Sequence, residues 1–216
     1  MKRTDYAMGP RANYWSDSPD NVWLDEQGQL HLRMTERNGR WYSAEVCSEE
    51  SFGYGDYAFF LASRVDQLDP SVVAALFTYE TDDREIDIEF SRWGCVNVPN
   101  TQYGIQPFGT LDERTCQVYP FARRGFRFQT ATIGTLTTHR FGWRPGTVSF
   151  SSDHGHVLAR TRPTLAEWTY TGSVPTPGVE RVHMSLWWAK NAPPVMKPTG
   201  PQELVVTAVL LPPDLR

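Results

Sequence analysis

The chain has 216 residues, 21% of them charged, and a formal net charge of −4, which suits one domain of ordinary globular composition spanning 1–216. That balance argues against a nucleic-acid binder, which needs a basic stripe; the single basic cluster, Arg123, Arg124 and Arg127, is short and reads as solvated surface. No apolar run approaches the roughly 18 residues of a membrane span, so neither nucleic acid nor membrane is an expected partner.

Short period-two runs punctuated by Gly, Pro, Asp and Asn dominate the chain in place of helical periodicity. The N-terminus MKRTDYAMGP lacks an apolar signal-peptide core, so no signal peptide is expected within it. Asp25-Glu26-Gln27-Gly28 predicts a hairpin turn leading into QLHLRMT, where Leu30, Leu32 and Met34 share one face. RWYSAEVCSEE and YGDYAFFLAS follow, separated by Gly53 and Gly55. VVAALFTY is continuously apolar, as a central strand covered on both faces would be, and REIDIEFS comes next. TQYGIQPF, LTTHRFGW, GTVSFSS and HVLAR are further candidate strands, with a turn at Asp153-His154-Gly155 between the last two. VHMSLWW and ELVVTAVLL close the series, with the Pro-rich loop NAPPVMKPTGP between them. Residues 116–130 show no clear period. The pattern predicts an all-β fold, a two-sheet antiparallel sandwich with a concave face.

The chemistry concentrates in Arg84-Glu85-Ile86-Asp87-Ile88-Glu89-Phe90. On a strand, Glu85, Asp87 and Glu89 share one face while Ile86, Ile88 and Phe90 enter the core. Acids are poor strand formers and repel one another, and such local conflict is typical of functional sites. Glu85 and Glu89 have Cα atoms about 13 Å apart at roughly 3.3 Å per residue. Their side chains can lean inward over Asp87 towards the roughly 5–5.5 Å of a retaining glycosidase pair. One would be nucleophile and the other acid/base, and crowding would keep one carboxyl protonated. An exposed acidic strand is the bland alternative. A Ca²⁺ site fits less well, because a straight strand presents ligands in a line rather than a cage.

These residues carry a resemblance. REIDIEF resembles the active-site strand of glycoside hydrolase family 16, the lichenase and laminarinase group. NVWLDEQGQLHLRMT, AEVCSEESFGYGDYAFFLAS, VVAALFTYE, HRFGWRPGTVSF and VHMSLWW are similar to its flanking strands, so the likeness spans about residues 13–190. It implies a concanavalin-like jelly roll with a substrate cleft, endo-acting cleavage with retention, and a β-glucan as polysaccharide partner. Glu85 takes the nucleophile position, Asp87 the helper and Glu89 the acid/base. The regular spacing of the acids leans towards mixed-linkage glucan. Glu45 matches a substrate-contacting acid and Trp187 the cleft tryptophan. Gln102 and Gln106 fall on the next strand, and Asn13, Tyr14 and Trp15 where the family lines its negative subsites. A secreted or extracytoplasmic monomer is implied.

Departures are Cys47 for an arginine, Ser185 for an asparagine, and Arg84 for the usual aspartate before the nucleophile, placed to pair with Glu85 and lower its pKa. The lichenase disulfide pair is not reproduced. With three cysteines, Cys47, Cys95 and Cys116, at most one internal disulfide is possible. Trp93 reads equally as a sugar platform or a turn aromatic. Of Trp187 and Trp188, one must face the cleft and the other the core. No metal-ligand spacing appears and no cofactor is expected; a structural calcium has no residue here to indicate it. Transglycosylation on the same site, or lectin-like binding without turnover, are the alternative functions.

Overall fold

The computed structural model describes residues 1–5, 8–119, 121–158, 165–190 and 196–213, with backbone only at 121–122. Its strands are β1 (Tyr14–Trp15), β2 (Val22–Leu24), β3 (Leu30–Arg37), β4 (Arg40–Cys47), β5 (Gly55–Ala62) and β6 (Val72–Thr81). There follow β7 (Arg84–Ser91), β8 (Thr101–Ile105), β9 (Leu111–Asp112), β10 (Gln117–Val118), β11 (Phe121–Ala122) and β12 (Gly125–Phe128). The last are β13 (Leu136–Arg144), β14 (Thr147–His154), β15 (Ala166–Thr171), β16 (Arg181–Trp188) and β17 (Gln202–Leu210). Apart from a one-turn 3₁₀ segment at Val65–Gln67, the described residues hold no helix, so none is long and apolar enough to cross a membrane.

The strands form one hydrogen-bonded path, β11-β12-β8-β7-β6-β16-β4-β3-β17-β5-β13-β14-β15, with β9 and β10 as a separate hairpin. Neighbours in the path are antiparallel, whereas β1 lies parallel to β4. Instead of two separate sheets, a single large sheet curves back on itself. The corner runs along β3, whose first residues pair with β17 and whose last pair with β4. The folded halves meet face to face: Tyr103 of β8 stacks on Phe150 of β14 at 4.8 Å, and Phe90 of β7 lies edge-on to His139 of β13 at 4.7 Å. This arrangement is consistent with the jelly-roll sandwich expected from the sequence.

Burial explains the alternation. Leu32, Met34, Ile86, Ile88 and Phe90 all enter the main core. β6 is covered on both faces: Val72, Ala74 and Leu76 join that core, while Val73 and Ala75 pack with Trp15 and Trp187 in a second cluster. The predicted turn before β3 forms, with Gly28 at φ 76° and Asp25 Oδ1 accepting from the Gln27 and Gln29 amides. Cys95 and Cys116 are disulfide-bonded, leaving the Cys47 thiol free.

Two expectations fail, and one segment left unassigned proves to hold strands. HVLAR is no strand over residues 156–158, and 159–160 lie outside the described residues. The partner of β14 is instead β15, where Trp168 and Tyr170 alternate with exposed residues on an edge strand too short to stand out. The segment without clear period, 116–130, contains β10 and β12 and the backbone pairing of β11 with β12. The basic cluster there is not all solvated surface, because Arg127 is 2% exposed.

Candidate active site

β7 lies between β6 and β8, and its outward face holds Glu85, Asp87 and Glu89. Glu85 and Glu89 line a cleft of about 690 Å³ that runs across the strands. Ala75, Phe77 and Tyr79 of β6, His183 and Trp187 of β16 and Glu45 of β4 line it on one side of β7, and Gln106 beyond β8 on the other. Trp93 and Glu113 add to its lining, and residues 3, 5 and 9–11 of the N-terminal segment complete it. The three acids expected to act together are therefore brought together.

Their environments differ. Burial, then the charges of Glu89, Asp82 and Glu45, pushes the Glu85 carboxyl up to about 7, against a hydrogen bond from Asp87 that lowers it. Asp87 is raised well above the carboxylate range by burial and by both glutamates. A protonated Asp87 donating to an ionised Glu85 satisfies both groups. Gln106 Nε2 also donates to Asp87 Oδ2, at 3.3 Å. Burial raises Glu89 to about 7 with help from Glu113, opposed by hydrogen bonding from Gln102 and by the Arg127 charge. The pairing of Arg84 with Glu85 does not occur. Strand alternation turns Arg84 away, and its guanidinium binds Glu80 at 3.0 Å and the Thr176 carbonyl. Glu85 is thus raised rather than lowered.

Behind Glu89 stands a polar relay that sequence reading missed. Arg127 Nη1 donates to Gln102 Oε1 at 2.6 Å, and Thr110 Oγ1 donates to the same oxygen. With its carbonyl oxygen so occupied, the Gln102 amide nitrogen is turned to donate to Glu89. Burial pushes the Arg127 guanidinium down to about 10 against the attraction of Glu89. Alternation in Gly125-Phe126-Arg127-Phe128 was the available signal, since Phe126 and Phe128 pack on the core and Arg127 faces away. Replacing Arg127 by Met is expected to raise the Glu89 midpoint by about one unit or more, read from the carboxyl carbon resonance of labelled glutamate. An unmoved or lower midpoint would disconnect Arg127 from Glu89.

Glu45 sits in the cleft wall, bound to Arg3 at 3.2 Å and to His183 Nδ1 at 3.0 Å. His183 in turn stacks on Phe77 at 4.9 Å. The period of VHMSLWW puts His183 and Ser185 on the Trp187 face, so His183 was within reach of the sequence. Trp187 meets Trp93 edge to face at 5.5 Å. Trp93 has φ 53°, a left-handed conformation costly for a bulky side chain, and its ring lines the cleft. Trp188 packs on the opposite, core side, as alternation requires. Asn13 and Tyr14 depart from expectation. Asn13 is fully buried with its amide bound to the Pro10 and Trp188 carbonyls, and the Tyr14 ring faces Arg40 and Lys190. Neither is among the residues lining the cleft. Trp15 is buried beneath the Arg3 guanidinium. Among the described residues, no group of three or more His, Cys, Asp or Glu is arranged to hold a metal.

Fold and site together define a curved antiparallel β-protein with an acid-bearing strand at the floor of an open cleft. Among solved structures, the chain is similar to a β-glucanase of Bacillus licheniformis, with a TM-score of 0.69 and 20% identity over 98% of this chain and 91% of that one. A β-1,3-1,4-glucanase from a mouse hindgut metagenome matches with a TM-score of 0.64 and 18% identity over 99% and 92%. An immunostimulatory antigen and pseudo β-1,3-glucanase of Mycobacterium tuberculosis matches with 0.65 and 22% over 97% and 88%. No protein-family model matches the chain, and no curated protein matches it in sequence. The resemblance drawn from sequence is met by these likenesses at the level of the fold.

Proposed function

We propose that residues 1–216 form a single-domain retaining endo-β-glucanase. The observation that carries this reading is the acid triplet, with Asp87 and Glu89 buried and Glu85 half-buried, in which Asp87 is bonded to Glu85 and Gln102 to Glu89, so that two like carboxyls are held differently. Ionised Glu85 attacks the anomeric carbon while Glu89 protonates the departing glycosidic oxygen. Glu89 then takes a proton from water, whose oxygen displaces Glu85 and restores the original configuration. Asp87 stabilises the Glu85 carboxylate by hydrogen bonding. Carboxylates supply both nucleophile and acid, so the reaction needs no cofactor. Trp187, Trp93, Glu45, His183 and Gln106 hold the sugar rings.

The cleft favours a neutral glycan. Arg3 is paired with Asp5 and Glu45, Arg11 with Glu113 at 2.6 Å, and His183 with Glu45, which leaves no spare cation among the described lining residues for sulfate or uronate. A β-1,3-1,4-glucan or β-1,3-glucan suits this chemistry. The Cys95–Cys116 bond supports a place of action outside the reducing cytosol.

Reducing-sugar release from barley mixed-linkage glucan, laminarin and xyloglucan tests the reading. Release from one of the first two polymers, abolished in Glu85→Gln, is expected. Binding without release would replace the enzyme by a lectin-like protein, and release unchanged in Glu85→Gln would overturn the site.

A further inference from the structure

Phe108 lies in the turn after β8, half-buried, and belongs to neither apolar cluster. Its ring rests on two glycines of the concave face. A Cβ at Gly104 would come 2.0 Å from Phe108 Cε1, and one at Gly125 would come 2.8 Å from Cδ2. Gly104 is the cross-strand partner of Asp87, so the ring covers the floor beside the acids. It is also held in register with them. The Phe108 amide donates to Gln106 Oε1 at 3.2 Å, and Gln106 Nε2 donates to Asp87.

Two hollows meet at this ring. One, of about 180 Å³, is shared with Glu89, Gln102 and Gln106. The other, of about 610 Å³, lies between Phe108 and Tyr170 and is also lined by Arg123 and by Arg124, whose guanidinium donates to the Ser173 carbonyl. The two hollows share Phe108 and Gly109, so the surface they line reaches from Glu89, past Phe108, to Tyr170 of the edge strand β15.

We propose that Phe108 is the stacking platform for the departing half of the glucan, with Tyr170 lining its continuation. The proposal rests on the glucanase reading and extends it. Gln102, on β8, draws the Glu89 carboxyl to that side, so the oxygen that Glu89 protonates belongs to the half of the chain lying over β8 and Phe108. A pyranose presents an apolar face of axial C–H groups, which an aromatic ring in a half-open groove can cover. A Cβ at either glycine would occupy the ring's place, so the glycines make room for it on the sheet, where it lines both hollows.

The test uses the inert Glu85→Gln protein, titrated with mixed-linkage and laminarin hexasaccharides by calorimetry. Adding Phe108→Ala or Phe108→Leu is expected to weaken binding roughly tenfold, the loss of one stacked sugar face, while Phe108→Tyr retains the parent affinity. Leucine keeps apolar bulk but not the flat face, so it separates a platform from a filler. Gly104→Ala, which lifts the ring from its bed, should weaken binding likewise, with thermal midpoints reporting that each variant is folded. Parent affinity in the Leu variant, whether or not the Ala variant weakens, would overturn the platform and leave the glucanase reading intact. A Glu85→Gln parent that binds neither hexasaccharide would overturn both.

Discussion

Azide supplied to the Glu85→Ala and Glu89→Ala proteins is expected to give glycosyl azides of opposite configuration. Losing Glu85 removes the nucleophile and should cost at least about 10⁴-fold in turnover of an aryl β-oligoglucoside. Azide fits the space the carboxylate leaves and attacks the anomeric carbon once, expelling the aryl oxide, so the product is inverted. Losing Glu89 removes the acid/base and should cost about 10²–10⁴-fold on polymer. An aryl leaving group needs little protonation, so the glycosyl-enzyme still forms on Glu85. Azide requires no general base and displaces Glu85 in a second inversion, so configuration is retained overall. Proton NMR of the anomeric signal distinguishes the two products. The same configuration from both variants, or no azide product from either, would remove the proposed division of roles. The structural basis for expecting opposite outcomes is local: Asp87 hydrogen-bonds Glu85, whereas Gln102, backed by Arg127, hydrogen-bonds Glu89.

What the sequence revealed was whatever obeys a period. The alternation in REIDIEF fixes which side chains are core and which line the cleft, because on a strand that choice is binary, and Ile86, Ile88 and Phe90 are indeed buried. The same rule separated Trp187 from Trp188. What escaped depends on contacts remote in sequence. Arg127 looked like surface because Arg123 and Arg124 precede it closely, yet it alternates with Phe126 and Phe128 and lies buried behind Glu89, 38 positions before it. Asn13 is likewise close to the predicted site in the chain, but its amide serves the carbonyl of Trp188 on the far side of the sequence. β15 escaped because an edge strand of six residues buries only part of each side chain. The fold of β3, shared between two neighbours, cannot be read from its own residues, since both pairings use the same alternation.

Glu85→Gln is expected to make the folded protein more stable at pH 8, with no gain at pH 4. Glu85 is raised from 4.5 to about 7, chiefly by burial and then by the charges of Glu89, Asp82 and Glu45. A carboxyl raised on folding holds its proton more tightly in the folded than in the unfolded chain. The stability contributed by this group is therefore fully present below about pH 4.5 and is lost as pH rises through 7, where it must ionise in the folded chain. Glutamine has no such charge to bury. The full shift corresponds to about 3–4 kcal/mol in favour of the variant at pH 8, which the partial solvent exposure of Glu85 reduces to about 2–3 kcal/mol, or roughly 5–10 °C in the thermal midpoint for a chain of this size. Calorimetric scans of both proteins at pH 4 and pH 8 measure it. A gain equal at the two pH values would mean that repacking, not charge, is responsible. No gain at pH 8 would mean that water or a counter-charge already solvates Glu85, which would undo the desolvated triplet on which the catalytic reading stands. The expected direction has a functional meaning: the cost of holding these acids together falls on the folded state, in return for one ionised and one protonated carboxyl near neutral pH.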